Sequence, residues 1–213
     1  MHSCARSSGI EIIVTLPEEP TIVAATSLEA RAVRRHVPQA RVVESGVGLS
    51  RLYAPALGRI AISCGLAGGL RMDLPTGTVV IPSSVSTTDG VSITCDPDWT
   101  LRLRRAAREL GSAAVDAPLL TSVTLITGSE RATWASRGFA AVDMESGHLL
   151  VDVLAAVRVI LDTPKCELSA DWLNPARAML NPRNWREARW LAREAPKCAD
   201  LAGRIIAAAL RRR

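Results

Sequence analysis

The chemistry-bearing residues of this 213-residue chain are three spaced carboxylates, one arginine in an apolar run and a cluster of glycines. Each acid lies at or just past a segment that reads as a strand. Glu29 follows residues 21–26, Glu145 closes Asp143-Met144-Glu145 after residues 139–142, and Asp162 follows residues 157–161. Ligand sites in open α/β sheets gather outside the carboxyl ends of strands. Three acids converging there can bind polyol hydroxyls and divide general-acid and general-base work. The same positions also suit ordinary first-turn acids facing a helix dipole, and spacing alone leaves both readings open.

Arg158 sits inside the apolar run VRVILD, where an unpaired charge is expensive to bury. It calls for a carboxylate partner, with Glu145 the candidate, or for an edge position from which it snorkels to water. Gly65-Leu66-Ala67-Gly68-Gly69 follows a strand-like run at 60–64. It reads as a turn, either one whose amides meet a ligand or one that only joins strands. No Lys-Ser/Thr pair follows, which excludes a Walker loop, and no helix clearly opens behind it, which excludes a dinucleotide fingerprint.

Other reactive side chains read as structural. Cys64 has no basic neighbour in sequence to activate it and is expected to be a small core residue. His148 is expected to be a packed helix residue, and Trp172, Trp185 and Trp190 to serve core and cap packing rather than base stacking. Five scattered cysteines without CxxC spacing, and only three histidines, argue against a disulfide framework and a zinc site. No metal or organic cofactor is expected.

These groups need a scaffold, and the chain is suited to an α/β domain. A hydrophobic fraction of 48% with 22% charged residues excludes a disordered chain. No apolar run reaches the roughly 18 residues needed to span a bilayer, and Glu11 interrupts the apolar stretch near the N-terminus, so no secretory signal is read. A cytoplasmic location follows as the default. Strands are expected at 21–26, 41–44, 60–64, 77–81, 84–94 (a hairpin turning at Asp89-Gly90), 119–126, 139–142 and 157–161. Helices are expected at 28–36 with Ser27 as N-cap, and at 97–110, 130–136 and 147–154. The segment 184–210 is expected to form one long helix or two, with a break at Pro196. Alternating strands and helices plus a hairpin predict a three-layer α/β/α domain around a mixed sheet. Residues 1–19 are read as an extension and 20–213 as one domain with a helical tail. The net charge of +5 sits largely in the C-terminal third and reads as a solvated face, so no nucleic acid is expected as partner.

Four stretches taken together carry a resemblance: TIVAATSLEARAV, SGVGLS, ISCGLAGGLRMDLPTGTVVI, and AVDMESG followed by VRVILD. The chain resembles the family of purine nucleoside phosphorylases, methylthioadenosine/S-adenosylhomocysteine nucleosidases and futalosine hydrolases. Within it, the chain looks closest to the hopanoid-associated branch that acts on adenosylhopane. The resemblance implies cleavage of a purine N-glycosidic bond by water or phosphate, phosphate then being a co-substrate. Asp162 would protonate purine N7, and Glu29 would orient and deprotonate the attacking water. Glu145 would hold the ribose hydroxyls with Met144 packed on the sugar and Arg158 accompanying the pair. Gly65, Leu66, Ala67 and Gly68 would line the substrate. The family also implies a homodimer.

The chain departs from the pattern in two ways. Where phosphorylases of the family carry a phosphate-gripping arginine and serine around the SCG turn, this chain has Ser63 and Leu66, which favours hydrolysis. Arg51, after the glycine turn, could supply the missing positive charge. Leu66 is read as an apolar pocket wall suited to a hydrophobic 5′ substituent. The stretches 48–65 and 145–158 are also shorter than in typical members, by about six or seven residues each, or nearly two helical turns. They leave sheet surface for a partner subunit to cover or mark a weakly active enzyme. The rival class is a non-catalytic nucleoside-binding protein on the same fold. The basic, Trp-containing tail could also serve peripheral membrane contact, against the simpler reading of a helix that covers the sheet.

Overall fold

The computed structural model describes residues 19–51, 57–173, 178 and 181–211, so the expected N-terminal extension lies outside the described residues except for Glu19. Among the described residues ten strands form one mixed sheet. They are β1 (Thr21–Ala24), β2 (Val42–Glu44), β3 (Ile60–Gly69), β4 (Val79–Val80), β5 (Ser84–Thr87), β6 (Ser92–Thr94), β7 (Ala114–Val115), β8 (Leu119–Thr121), β9 (Ala141–Asp143) and β10 (Val153–Ile160). The order is β6-β5-β8-β9-β3-β10-β4-β7, with β1 alongside β3 and β2 alongside β1. The expected hairpin is present: β5 and β6 pair antiparallel, and Gly90 takes the positive φ of 96° that the turn requires. The α/β class, with a mixed sheet and flanking helices, is as expected.

Alternation along the strands separates two faces. Ala155, Val157 and Val159 of β10 and Ile62 and Cys64 of β3 point into a core shared with α1 (Ser27–His36), α2 (Pro97–Glu109) and α4 (Trp185–Leu210). Leu154, Ala156 and Ile160 point the other way, into a cluster with Leu57, Leu74, Val85 and Leu149. Helix α3 (Ser129–Ser136) packs through Trp134 and Ala135 on Leu70, Leu120 and Ile126. Arg158 and Ser63 have the parity of the second face. There, among the described residues, the nearby cover consists of single 3-10 turns at Val47–Leu49 and Ser146–His148.

Several expectations need correction. The glycine stretch is not a turn: β3 runs straight through it, pairing with β10 up to Ala67 and with β9 at Gly68 and Gly69. The residues expected to form a helix at 147–154 make one 3-10 turn, and β10 starts at Val153 instead. Pairing of eight residues with β3 outweighs local helix preference. Gly147 is also pressed so close to the sheet that a Cβ would lie 2.8 Å from Thr87 Cγ2. The strand expected at 119–126 ends at Thr121, and β7 was not foreseen.

The cap of α1 is Thr26, not Ser27. Thr26 has extended backbone, and its Oγ1 accepts from Glu29 N while the Glu29 carboxylate accepts from Thr26 N at 2.7 Å. That reciprocal capping box needs a three-residue spacing, which Ser27 cannot offer to Glu29. Helix α4 continues through Pro196 without a break. A mid-helix proline costs about 3 kcal/mol, and here the cost is offset by burial of Ala195, Cys198, Ala202, Ile205 and Ile206 against the sheet and α1. The apolar side of the tail is thereby used on the protein itself, and no described helix is long and apolar enough to cross a membrane.

Candidate functional site

The site grows from the carboxyl end of β3. Gly65 has no side chain, and two charged groups take that space: a Cβ there would lie 2.2 Å from Glu29 Oε1 and 2.9 Å from Arg158 Nη1. Glu29 is placed by the first turn of α1. Its Oε2 accepts from the Thr26 amide and hydroxyl, and its Oε1 accepts from Leu66 N at 2.7 Å. Arg158 reaches the same point from β10, opposite Gly65 in the parallel register.

Arg158 is 1% exposed and is held by four side chains. Its Nη2 donates to Ser63 Oγ at 2.6 Å and Ser146 Oγ at 3.1 Å, and pairs with Asp143 Oδ2 at 2.7 Å and Glu145 Oε2 at 3.5 Å. The sequence pointed to Glu145 as the partner; the nearer one is Asp143. Asp143 is buried and fully occupied, since Oδ1 also accepts from Thr121 Oγ1 at 2.6 Å and Oδ2 from the Ser146 hydroxyl. It serves as the counter-charge that makes a buried guanidinium tolerable. Among the described residues, the buried Arg158 Nε has no hydrogen-bond partner.

Glu145 therefore stands one step out from the ion pair. Oε1 accepts from Gly48 N at 3.0 Å, which Gly48 delivers through a positive φ of 60° within the turn at 46–49. Burial pushes the Glu145 carboxyl up to about 7, with the Asp143 and Glu29 charges adding, and Arg158 and the Gly48 amide opposing. The excess of acids over Arg158 in a dry place drives the Glu145 carboxyl toward its protonated form. Met144 is half-buried beside it.

Asp162 belongs to a second cluster. It follows β10, its backbone oxygen accepts from Gly69 N at 2.7 Å, and its Oδ1 lies where a Cβ on Gly68 would come to 3.2 Å. Oδ2 is ion-paired with Arg131, a 3%-exposed residue of α3. Arg131 also donates to Gly69 O at 2.8 Å and Ile126 O at 3.0 Å, and its Nε lies 3.2 Å from Glu167 Oε1. Arg131 and Glu167 were not anticipated. An eight-residue helix gives no periodicity from which a single inward arginine can be read.

The glycine segment joins the clusters, with Gly65 against Glu29 and Arg158 and Gly68 against Asp162. Its amides are mostly used within the protein: Leu66 N serves Glu29 and Gly69 N serves Asp162. Ala67 is buried in the second-face cluster. Leu66 corrects an expectation, because its side chain packs with the helix-side core and only its backbone faces the acids. Ser63 is committed to Arg158 and Ser146. Arg51 directs its exposed guanidinium to Glu44 at 3.1 Å. Cys64 is buried, and desolvation raises its thiol to about 12, in keeping with a core residue. His148 is half-buried in the 3-10 turn rather than in a helix. Trp172 Nε1 donates to Glu187 at 2.8 Å and Trp190 packs on the helix-side core, while Trp185 is 61% exposed.

Residues 56–151, less than half of the chain, match the family described as the Phosphorylase superfamily. No curated protein sequence matches the chain. Among solved structures, a mutant MTAN of Helicobacter pylori with 5′-methylthioadenosine in its active site superposes with a TM-score of 0.68 at 12% identity, covering 92% of this chain and 99% of that one. Futalosine hydrolase of the same organism gives 0.67 at 12% identity, covering 90% and 96%. An S-adenosylhomocysteine nucleosidase from Streptococcus pyogenes gives 0.68 at 15%, covering 90% and 96%. The chain therefore has the nucleoside phosphorylase-like fold over nearly its whole length.

Proposed function

We propose that this protein cleaves the N-glycosidic bond of a purine nucleoside, with water as the nucleophile. The observation that carries the reading is the meeting of Glu29, Glu145 and Arg158 at the glycine end of β3, on a fold shared with nucleosidases. In this reading Glu145 accepts hydrogen bonds from the ribose hydroxyls, with Met144 against the sugar. Glu29 orients water and takes its proton. Asp162 supplies the proton that lets the base leave through N7. The C1′–N9 electron pair departs with the base, and an oxocarbenium-like centre receives the water oxygen, as in other glycoside cleavages.

Hydrolysis is favoured over phosphorolysis because the groups placed to grip phosphate are occupied. Ser63 is bound to Arg158, and Arg51 turns to Glu44. For the 5′ end we propose an apolar substituent of the adenosylhopane kind. Its support is not Leu66 but Val47, 43% exposed beside the Gly48 that binds Glu145.

The test is release of free base from a panel of adenine nucleosides, including methylthioadenosine and lipid-linked adenosine, with and without phosphate. Phosphate-independent release that Asp162→Asn lowers by roughly 10²-fold or more agrees with the reading. Strict phosphate dependence replaces water by phosphate. Full activity in Asp162→Asn removes the mechanism, and binding without release identifies a non-catalytic nucleoside binder.

A further inference from the structure

We propose that Arg131 is the positioning residue through which Asp162 works, and that Glu167 takes over its charge whenever Asp162 carries the proton meant for the leaving base. The inference rests on the nucleosidase reading above and deepens it. An ion-paired carboxylate is an acceptor only, so Asp162 as it stands has no proton to give. To act as an acid it must first take a proton from solvent. If Asp162 were the sole partner of Arg131, that step would strand a guanidinium that is 3% exposed, which is strongly unfavourable.

The geometry removes this obstacle. Arg131 uses three nitrogens on separate partners: Nη2 on Asp162, Nη1 on Gly69 O at 2.8 Å, and Nε toward both Ile126 O at 3.0 Å and Glu167 at 3.2 Å. Glu167 returns to this point because Thr163 and Cys166 exchange backbone hydrogen bonds of 3.2 and 2.9 Å, closing a tight turn directly after Asp162. Its carboxylate also accepts from Gly128 N at 3.0 and 3.2 Å, at the N-terminal end of α3 where negative charge is favoured. Glu167 thus keeps a counter-charge on Arg131 in both protonation states of Asp162. The two backbone carbonyls keep the guanidinium in place throughout.

The proton balance is complete. One proton passes from solvent to Asp162 and from there to purine N7. The C1′–N9 bond breaks with its electrons going to the base, and the oxygen of water bonds to C1′. The proton lost by that water reaches Glu29 and returns to solvent, and Asp162, again a carboxylate, re-forms its ion pair with Arg131.

The experiment measures base release from the adenine nucleoside of the panel above that the protein cleaves fastest and from its N7-methylated counterpart, whose base leaves without protonation at N7. The ratio of the two rates is independent of how much of a variant folds. In Arg131→Met and in Glu167→Gln that ratio falls by at least about tenfold, the lower part of the range for lost acid catalysis, and Arg131→Lys restores most of it. An unchanged ratio in Arg131→Met makes the residue merely structural and overturns the inference. A fall in Arg131→Met with none in Glu167→Gln overturns the hand-over. If the unmodified protein releases base from none of the panel's nucleosides, lipid-linked adenosine included, there is no ratio to measure, and the nucleosidase reading itself fails and takes this inference with it.

Discussion

Two buried arginines organise the carboxylates of this protein in different surroundings. Arg158 holds Asp143 and Glu145, whose side chains are 0% and 6% exposed, and Glu29 adds a third acid at Gly65. Arg131 is as deeply buried, but its partners Asp162 and Glu167 are 13% and 31% exposed. In the dry cluster, surplus negative charge cannot be screened, so a carboxyl is driven toward its protonated form. In the wetter one, solvent reaches the acids and can supply a proton. The first arrangement suits holding a polyol in a fixed pose, and the second suits passing a proton to a leaving group.

The largest effect should come from removing each arginine. Arg158→Met leaves buried acids without a counter-charge and should lower unfolding free energy by roughly 3–5 kcal/mol in urea titrations. Arg131→Met leaves acids that water can reach, and the loss should be nearer about 2 kcal/mol, mostly from the carbonyls of Gly69 and Ile126 losing their donor. Equal losses would break the distinction between dry and wet clusters.

Next comes Glu145. Its carboxyl is raised in the folded state, so the folded protein binds more protons than the unfolded chain between the two values. Stability tied to this group is fully present below pH 4.5 and is lost as pH rises to about 7. The loss should be on the order of 3 kcal/mol. Glu145→Gln keeps an acceptor for Gly48 N and removes the charge, so its stability curve should lack this decline while its base release collapses. A stability curve with the same slope as the parent protein would show that Glu145 is not the strained acid.

The glycine pair tests geometry rather than charge. Gly65→Ala places a Cβ 2.2 Å from Glu29 Oε1 and 2.7 Å from its Cδ. Glu29 is tied to Thr26 and Leu66 and cannot yield without breaking one of those bonds. The variant should lose roughly 1–3 kcal/mol in thermal or urea unfolding, and its base release.

How far these clusters could be read from the sequence depended on the range of the forces that build them. Glu29, Glu145, Asp162 and Arg158 were legible because each follows or interrupts an apolar strand, a local pattern. The mixed sheet and its hairpin were legible for the same reason. The glycine run reads as a turn in sequence because glycine's freedom permits one, whereas pairing with β10 and then β9 holds it extended. The helix expected behind Glu145 gave way to long-range pairing of β10 with β3. Leu66 was assigned to the wrong face because strand parity cannot be applied inside a presumed turn. Arg131 reaches Asp162 only through tertiary packing of α3, and Glu167 reaches Arg131 only through the turn at 163–166, which no spacing records.

The smallest predicted effect is the most discriminating. Gly68→Ala puts a Cβ 3.2 Å from Asp162 Oδ1 and 3.4 Å from Val142 Cγ1, contacts that a shift of a few tenths of an ångström relieves. The atom met is Oδ1, whereas Oδ2 is the one paired with Arg131, so a small turn of the carboxylate relieves the contact. Stability should change by less than about 1 kcal/mol. Base release should nevertheless slow several-fold, since catalytic groups tolerate only small displacements. Gly65 and Gly68 would then differ in kind: the first protects a rigid capping acid, the second leaves room for the acid that passes the proton. A Gly68→Ala variant as unstable as Gly65→Ala would show that Asp162 is as rigidly held as Glu29, and the contrast between a fixed and a proton-passing cluster would fall.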